Sequence, residues 1–169
     1  MNVYRWDDFR VVDNKEWRFD MAPNAVTLVY EFDILQYFQD KGFDSKEYMA
    51  EFLLLSCDGQ AVSKSFAFPS SFKEIKIAAD PKVEFKVGNS KCDPRTSWHR
   101  ITLEVKIQKP AIFTSISLVH DKIKQYLVSK NGFMQFEPIQ VLHVSFENPN
   151  CEQVIKIENF AVKTLNKFL

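Results

Sequence analysis

The chain has 169 residues, of which 46% are hydrophobic and 26% charged, so its length and composition predict one folded domain over residues 1–169 and exclude a disordered protein. Its 22 basic and 22 acidic residues cancel, so the charge balance gives no indication of binding to nucleic acid or to an anionic membrane. The sequence contains 16 Phe and only 4 Gly, which favours a thick aromatic core such as that between two packed sheets.

The sequence shows no pattern typical of a membrane span or a signal peptide, and its cysteine spacing is not typical of a set of disulfide bonds. No run of about 18 apolar residues predicts a membrane span, and residues 1–13 lack the apolar region of a signal peptide. Cys57, Cys92 and Cys151 are widely spaced and show no CxxC metal spacing. At most one pair can form a disulfide bond, and the spacing leaves open which pair it is.

The N-terminal part of the chain predicts extended segments before a short helix. Val3 to Val12 is extended, and Ala25 to Glu31 predicts a strand because β-branched and aromatic residues dominate it. Asp33 to Lys41 has apolar residues at helical spacing, with Asp33 as N-cap and Gly42 as the stop. We interpret this helix as a packing element over one end of the fold, with a partner-binding helix as the alternative.

A hairpin is predicted after the helix. Tyr48 to Cys57 predicts a strand buried on both faces, because Phe52 to Leu55 is continuously apolar. Asp58-Gly59 predicts a tight turn, and Gln60 to Phe68 alternates as the returning strand.

The middle of the chain continues with extended segments. Lys82 to Val87 alternates as a half-exposed strand, and Gly88 to Ser97 is polar and turn-rich, which indicates a surface loop. Trp98 to Gln108 and Ile112 to Asp121 alternate between apolar and polar residues, which predicts two strands with one buried face each. Lys122 to Ser129 is predicted to be a connection.

The last part of the chain predicts a turn and two strands. Asn131-Gly132 is a turn signal, because both residues tolerate positive φ. Val141 to Phe146 alternates strictly, and Gln153 to Leu165 is the last predicted strand, with a bend near Asn159. In total about eight or nine strands without βαβ alternation predict an antiparallel β-sandwich with one short helix.

The sequence predicts no catalytic residue, metal site or cofactor. His99, His120 and His143 lack the spacing of zinc ligands, and His99 is expected to be exposed at the junction of a loop and a strand. Asp7 and Asp8 are adjacent, so in a strand they would point to opposite faces and cannot form the carboxylate pair of a glycosidase.

Three tryptophans are the remaining candidates for contact with a ligand or a partner. Trp6, Trp17 and Trp98, with some Tyr or Phe, are able to form a platform that stacks on sugar rings. The favoured interpretation is that they fill the core or an interface with another domain, because aromatic residues dominate both environments.

Several segments resemble the C-terminal domain of the animal lysosomal β-mannosidase family. The first runs from Leu28 to Ser56 and reads LVYEFDILQYFQDKGFDSKEYMAEFLLLS; the second, Phe66 to Ile75, reads FAFPSSFKEI. Ile101 to Leu118 is similar to the family's paired strands, including Pro110-Ala111-Ile112-Phe113. Asn131-Gly132-Phe133 resembles the family's Asp-Asn-Gly-Phe turn, and the resemblance runs in order from about Val3 to Leu165.

The resemblance implies a function for the chain that composition does not give. It implies an immunoglobulin-like antiparallel β-sandwich with one short helix, which is the C-terminal fragment of a larger, lysosomal glycosidase. The family's enzymes are retaining glycosidases that remove terminal β-linked mannose from oligosaccharides, and their catalytic Glu residues lie in an upstream (β/α)8 barrel that no part of this chain matches.

We therefore expect a non-catalytic accessory domain that packs on the catalytic barrel. Its expected partners are the other domains of the parent glycosidase and an oligosaccharide, with no nucleic acid and no membrane among them. The alternative is a free-standing carbohydrate-binding or protein-interaction module.

Overall fold

The computed structural model describes residues 1–20 and 28–168 of the chain. Their contacts separate two compact units, Met1–Ile77 and Ala78–Leu169, and each unit is described by itself. The prediction of a single domain over residues 1–169 stays a prediction. Within the described residues, no helix is long and apolar enough to cross a membrane.

A four-stranded antiparallel sheet forms the framework of the first unit. Its strands are β1 (Asn2–Arg5), β2 (Val11–Asn14), β3 (Tyr48–Leu55) and β4 (Ala61–Ala67), in the order β2-β1-β3-β4. The extended run predicted from Val3 to Val12 is thus two strands joined by a turn. A register shift between Val3 and Tyr4 places Tyr4 opposite Val11, so the hairpin contains a bulge.

The strand predicted from Ala25 to Glu31 is wrong where it is described. Residues 25–27 lie outside the described residues, and residues 28–31 are not in a strand. Leu28 is 83% exposed, and no strand pairing of the described residues includes this segment. Alternating β-branched and aromatic residues therefore do not suffice here, because a strand also requires a neighbour for its backbone groups.

The predicted helix is confirmed as α1 (Ile34–Lys41), together with both of its caps. The Asp33 carboxylate accepts hydrogen bonds from the backbone N–H groups of Leu35 and Gln36, at 2.9 and 3.0 Å. Gly42 adopts the left-handed conformation, with φ of 70°, and its backbone N–H closes the last turn on Gln39 O.

The core of the first unit lies between α1 and one face of its sheet. Phe38 of α1 is buried with Val3 and Ala50. The buried part of β3 is Met49 to Glu51, whereas Leu54 and Leu55 are exposed. The prediction that Phe52 to Leu55 is buried on both faces is therefore wrong. These residues lead into the hairpin turn, and the segment that packs beneath α1 comes earlier in the strand.

The hairpin between β3 and β4 is confirmed. Gly59 has a φ of 81°, which a residue with a side chain adopts only with strain. The backbone N–H of Gly59 donates to Ser56 O at 2.9 Å, and that of Ser56 donates to Gln60 O at 2.9 Å. The predicted Asp58-Gly59 turn thus fixes the register in which β4 returns along β3.

Two antiparallel sheets form the second unit. Its strands, in chain order, are β5 (Glu84–Asp93), β6 (Trp98–Lys106), β7 (Ala111–Leu118), β8 (Tyr126–Val128), β9 (Phe133–Gln135), β10 (Ile139–Glu147) and β11 (Phe160–Lys163). The larger sheet has the order β5-β6-β10-β8, and the smaller one has the order β11-β7-β9. All the pairings of these strands are antiparallel.

Side chains from both sheets meet in one core, as the alternation predicts. From the larger sheet, β6 and β10 contribute Ile101, Leu103, Val105, Leu142, Val144 and Phe146. From the smaller sheet, β7, β9 and β11 contribute Ile116, Leu118, Phe133 and Phe160. The regular secondary structure of the described residues is thus mainly antiparallel strands, with a single short α-helix, which confirms the predicted immunoglobulin-like antiparallel β-sandwich.

Three segments of the second unit differ from their predictions. β5 continues through the predicted loop Gly88 to Ser97 as far as Asp93; it is polar because it is an edge strand that faces solvent. The predicted connection Lys122 to Ser129 contains β8. The last predicted strand, Gln153 to Leu165, forms pairs only over Phe160–Lys163, after a 3-10 turn at Ile157–Asn159.

The predicted turn at Asn131-Gly132 is confirmed, and its side chain holds it in place. Gly132 has a φ of 67°. The Asn131 carboxamide accepts from the backbone N–H of Ile116 at 2.9 Å and donates to the carbonyl of the same residue at 3.2 Å. The side chain therefore replaces a ladder partner of β7 at the point where β9 begins.

Candidate functional site

Four aromatic rings surround the ammonium group of Lys15 in the first unit. The Lys15 Nζ atom lies 5.3 Å from the Trp17 ring centroid, 6.0 Å from Tyr30, 5.5 Å from Phe32 and 5.5 Å from Tyr37. These distances lie within the range of cation–π attraction. We call Trp17, Tyr30, Phe32 and Tyr37 the aromatic box.

Three separate segments supply the rings of the aromatic box. Trp17 follows β2, Tyr30 and Phe32 precede α1, and Tyr37 belongs to α1. The Trp17 and Tyr30 centroids are 5.1 Å apart, and those of Phe32 and Tyr37 are 5.2 Å apart. Phe32 also meets Phe52 of β3 edge to face at 6.1 Å. The box is thus anchored on the core at one side, while Tyr30 is 53% exposed at the other.

A carboxylate lies at the edge of the aromatic box. The Tyr37 hydroxyl donates to Asp13 Oδ2 at 2.8 Å, and Lys41 Nζ lies 3.0 Å from the same oxygen. The hydrogen bond from Lys41 holds the pKa of Asp13 below its usual range, and burial together with this carboxylate raises the pKa of Tyr37. Near neutral pH the site therefore contains an ionised Asp13 and a neutral Tyr37.

The three tryptophans predicted as candidates lie in different environments. Trp6 is fully buried, and its ring stacks on Phe68 at 5.7 Å, so it is a core residue with no face open to a sugar. Trp17 is half-buried in the aromatic box. Trp98 begins β6 in the second unit and is 43% exposed. The structure thus places one of the three, Trp17, in a cluster of rings that a ligand is able to reach.

The prediction that His99 is exposed is wrong. It is buried at the start of β6, with its ring 5.0 Å from that of Phe146. Its Nε2 atom lies 2.5 Å from Ser90 Oγ, and its Nδ1 atom lies 2.9 Å from Asn148 Nδ2. The partners come from β5 and from the residue after β10, so the environment of His99 is set by tertiary contacts that its position in the sequence does not indicate.

The tautomer of His99 does not suit it to activate Ser90 as a nucleophile. The Asn148 amide is oriented by Gln153, whose backbone N–H donates to Asn148 Oδ1 at 2.9 Å and whose carbonyl accepts from Asn148 Nδ2 at 3.0 Å. Nδ1 of His99 therefore accepts a hydrogen bond from Asn148, and the proton of the neutral ring is on Nε2. A general base needs Nε2 free to accept the proton of the serine hydroxyl, so this arrangement is structural.

The adjacent carboxylates of Asp7 and Asp8 both lie beside basic side chains. Asp7 lies 3.3 Å from Arg5 Nε, and Asp8 lies 2.6 Å from Arg10 Nε. The Arg10 hydrogen bond lowers the pKa of Asp8. Within the described ranges, no group of three His, Cys, Asp or Glu residues is arranged to hold a metal ion.

One buried carboxylate lies on the sheet of the first unit. Glu51 of β3 is buried, and its Oε2 atom accepts hydrogen bonds from the Tyr4 hydroxyl at 3.0 Å and from Asn2 Nδ2 at 3.2 Å. Its Oε1 atom lies 2.9 Å from Lys64 Nζ. Both carboxylate oxygens of Glu51 are thus engaged by donors of the same sheet, so the group stabilises the fold and faces no open site.

Of the residues in and around the aromatic box, the sequence alone singles out Trp17 but not Lys15, Tyr30, Phe32 or Tyr37. A signal for part of it exists, because Tyr30 and Phe32 are two residues apart in an extended segment and so lie on one side. The contribution of Lys15 depends on how β2 and α1 pack, which no local pattern reveals.

The first part of the chain is similar to a known protein family. Residues 1–74 match the family model of the Mannosidase Ig/CBM-like domain. A search of curated proteins found no match. The match does not extend beyond residue 74, so the resemblance from residue 75 to Leu165 stays a prediction. The assignment to the lysosomal β-mannosidases in particular also stays a prediction. The first 74 residues of the chain are similar to the immunoglobulin-like domain of mannosidases, and this likeness includes the segments that carry Lys15 and the aromatic box.

Proposed function

We propose that the chain is a non-catalytic accessory domain of a β-mannosidase-like glycoside hydrolase. In this proposal a catalytic barrel elsewhere in the parent polypeptide removes terminal β-linked mannose from oligosaccharides, and this chain supports it. The observation that carries the proposal is the match of residues 1–74 to the Mannosidase Ig/CBM-like domain.

The chemistry of the described residues supports a role without catalysis. His99 holds its proton on Nε2 facing Ser90, as its contact with Asn148 requires. Glu51 is buried under its three donors, and Asp8 is paired with Arg10. A retaining glycosidase requires two carboxyl groups about 5 to 5.5 Å apart that flank an open sugar site, and these carboxylates are engaged by basic or hydroxyl groups instead.

Exposed apolar side chains support the proposed partner, which is the rest of the parent enzyme. In the first unit they include Leu28, Tyr30 and Val62, and in the second unit they include Trp98 and Val141. An interface with another domain would cover side chains of this kind. No nucleic acid or membrane is part of the proposal.

The location in the proposal is the lysosome, and a disulfide bond supports it. Cys92 and Cys151 are joined in the second unit, whereas Cys57 is free and exposed. Disulfide bonds form and persist in compartments of the secretory route and are rare in the cytosol.

The proposal is tested by the size and content of the native polypeptide. An antibody against this chain is used to capture the native protein, which is then resolved on a reducing gel and sequenced by mass spectrometry. We expect a polypeptide much longer than 169 residues whose peptides include a (β/α)8 hydrolase barrel. A captured polypeptide of about the length of this chain, with no hydrolase sequence, would overturn the proposal in favour of a free-standing module.

One observation favours a second candidate function, which is carbohydrate binding. The aromatic box combines rings that a ligand is able to reach with a cation and a carboxylate, and sugar sites commonly combine a stacking ring with a few placed polar groups. This function is compatible with residence in a glycosidase, because an accessory domain that binds sugar brings substrate near the barrel.

A further inference from the structure

The aromatic box combines rings, a cation and a neighbouring carboxylate, which are groups that ligand sites also use. We infer that Lys15, Trp17 and Tyr30 bind an acidic sugar, whose ring stacks on Tyr30 and whose anionic group pairs with the Lys15 ammonium. The inference rests on the proposed function in one respect, because that function is the reason for choosing β-linked mannose-type sugars as probes.

The rings provide a surface for stacking. Tyr30 is 53% exposed, and its centroid lies 5.1 Å from that of Trp17, with 36° between the ring planes. Two adjacent rings present more apolar area than one, and they lose little conformational freedom on binding because the packing of Trp17 against Phe32 at 5.6 Å already holds them. The apolar C–H face of a pyranose fits such a surface.

The ammonium group is available to an anion. None of the ion pairs formed by the described residues includes Lys15. The nearby carboxylate of Asp13 is instead paired with Lys41 at 3.0 Å. Asp13, Lys15 and Lys41 together therefore carry one net positive charge, and the uncompensated charge belongs to Lys15.

The aromatic box also holds the ammonium in position before a ligand arrives. Cation–π contacts with four rings restrict a side chain that would otherwise lose much rotamer freedom on binding. The rings attract the cation without neutralising its charge, so an incoming carboxylate gains a charge-assisted hydrogen bond at a low cost in entropy. A neutral sugar gains the stacking contact alone, and the site should therefore discriminate by charge.

Two disaccharides with the same linkage and ring type, one anionic and one neutral, test the inference. The probes are β-1,4-linked dimannuronate and β-1,4-mannobiose; dimannuronate has a carboxylate on each ring where mannobiose has a hydroxymethyl group. Each is titrated into the 15N-labelled chain, and the Trp17 indole N–H resonance is followed by NMR. We expect dimannuronate to shift this resonance and to bind about tenfold more tightly than mannobiose.

Variants of Lys15 separate the charge from the fold. The backbone of Lys15 forms hydrogen bonds with Met1 at 2.9 and 2.7 Å, and these bonds do not involve the side chain. Lys15→Met is expected to abolish the preference for dimannuronate and to leave mannobiose binding unchanged, whereas Lys15→Arg retains the preference. Lys86→Gln, which removes the same charge from an exposed site in the second unit, is the matched control and should have no effect.

Tyr30→Ala tests the stacking surface and should weaken the binding of both disaccharides. Equal affinity of the unmodified chain for the two probes, a preference that survives Lys15→Met, or no shift of the Trp17 resonance at about 20 mM probe would overturn the inference. If Tyr30→Ala does not fold, the Lys15 variants and the two probes still decide the matter. Failure here leaves the accessory role intact, because that role is decided by the sequence content of the captured native polypeptide.

Discussion

The Asn148 carboxamide donates from Nδ2 to Nδ1 of His99 across 2.9 Å, and it cannot rotate to offer an acceptor instead. Both of its polar atoms are bonded to the backbone of Gln153, so rotation would break two further hydrogen bonds. Protonation of His99 at Nδ1 would therefore place two donors against each other. The fold requires a neutral His99, although nothing in the neighbouring sequence indicates it.

This requirement predicts that acid destabilises the chain through His99. Burial lowers the pKa of His99, whereas a histidine in an unfolded chain titrates near about 6.5. Between these two pKa values the unfolded chain binds more protons than the folded chain. The free energy of unfolding should therefore fall as the pH falls through about 6.5, until the folded-state pKa is passed.

Chemical denaturation between pH 7.5 and 5 measures this effect, and His99→Gln isolates it. The variant should be less stable at pH 7.5 but should lose the part of the pH slope that belongs to His99. NMR titration of the His99 ring gives its folded pKa directly, which should lie below the value of an unfolded chain. An unchanged slope in the variant would show that the Asn148 contact does not control the protonation of His99.

The disulfide bond between Cys92 and Cys151 should contribute much of the stability of the second unit. It joins the end of β5 to the turn after β10 and spans 59 positions of sequence. Replacement of both residues by Ala should lower the free energy of unfolding by about 2–4 kcal/mol, because the unfolded chain regains the entropy of an open loop. Cys57→Ser is the matched control and should change stability by less than about 0.5 kcal/mol.

A thiol assay checks the pairing independently of stability. The native chain should react with one equivalent of a thiol reagent, at the exposed Cys57, and with three after denaturation and reduction. Three reactive thiols in the unreduced, denatured chain would contradict the assigned pairing.

The buried Glu51 should be the most sensitive carboxylate of the first unit. Glu51→Gln removes the ion pair with Lys64 and sets an amide N–H among the donors of Asn2 and Tyr4. We expect a loss of about 1–3 kcal/mol in the free energy of unfolding, measured by urea denaturation. Glu74→Gln, which breaks an exposed pair with Lys46 at 3.8 Å, should cost less than about 0.5 kcal/mol. Equal effects of the two substitutions would contradict the buried network.

The parts of the fold that sequence predicts are those that local chemistry determines. The alternation of apolar and polar residues in Trp98 to Gln108 and in Val141 to Phe146 predicts which side chains enter the core. The burial of the side chains in β6 and β10 alternates in the same way. The caps of α1 act through contacts within a few residues, so Asp33 and Gly42 were identifiable by type. The same holds for the Asn131-Gly132 turn.

The parts that sequence did not predict depend on partners far along the chain. β8 and β9 have three residues each, which is too short for alternation to show. Whether Leu55 is exposed and His99 is buried depends on which distant parts of the chain pack against each side chain. The aromatic box is of the same kind, because the ammonium of Lys15 is placed by rings that lie as far away in sequence as Tyr37.

We propose that this chain supports a β-mannosidase-like glycosidase without catalysing the reaction itself, and hydrolysis of a chromogenic β-mannoside tests this proposal. The assay compares the purified 169-residue chain with the native polypeptide captured by an antibody against it. We predict turnover by the captured polypeptide and none by the purified chain. Turnover by the purified chain, or an inactive captured polypeptide, would show that the proposed supporting role is wrong.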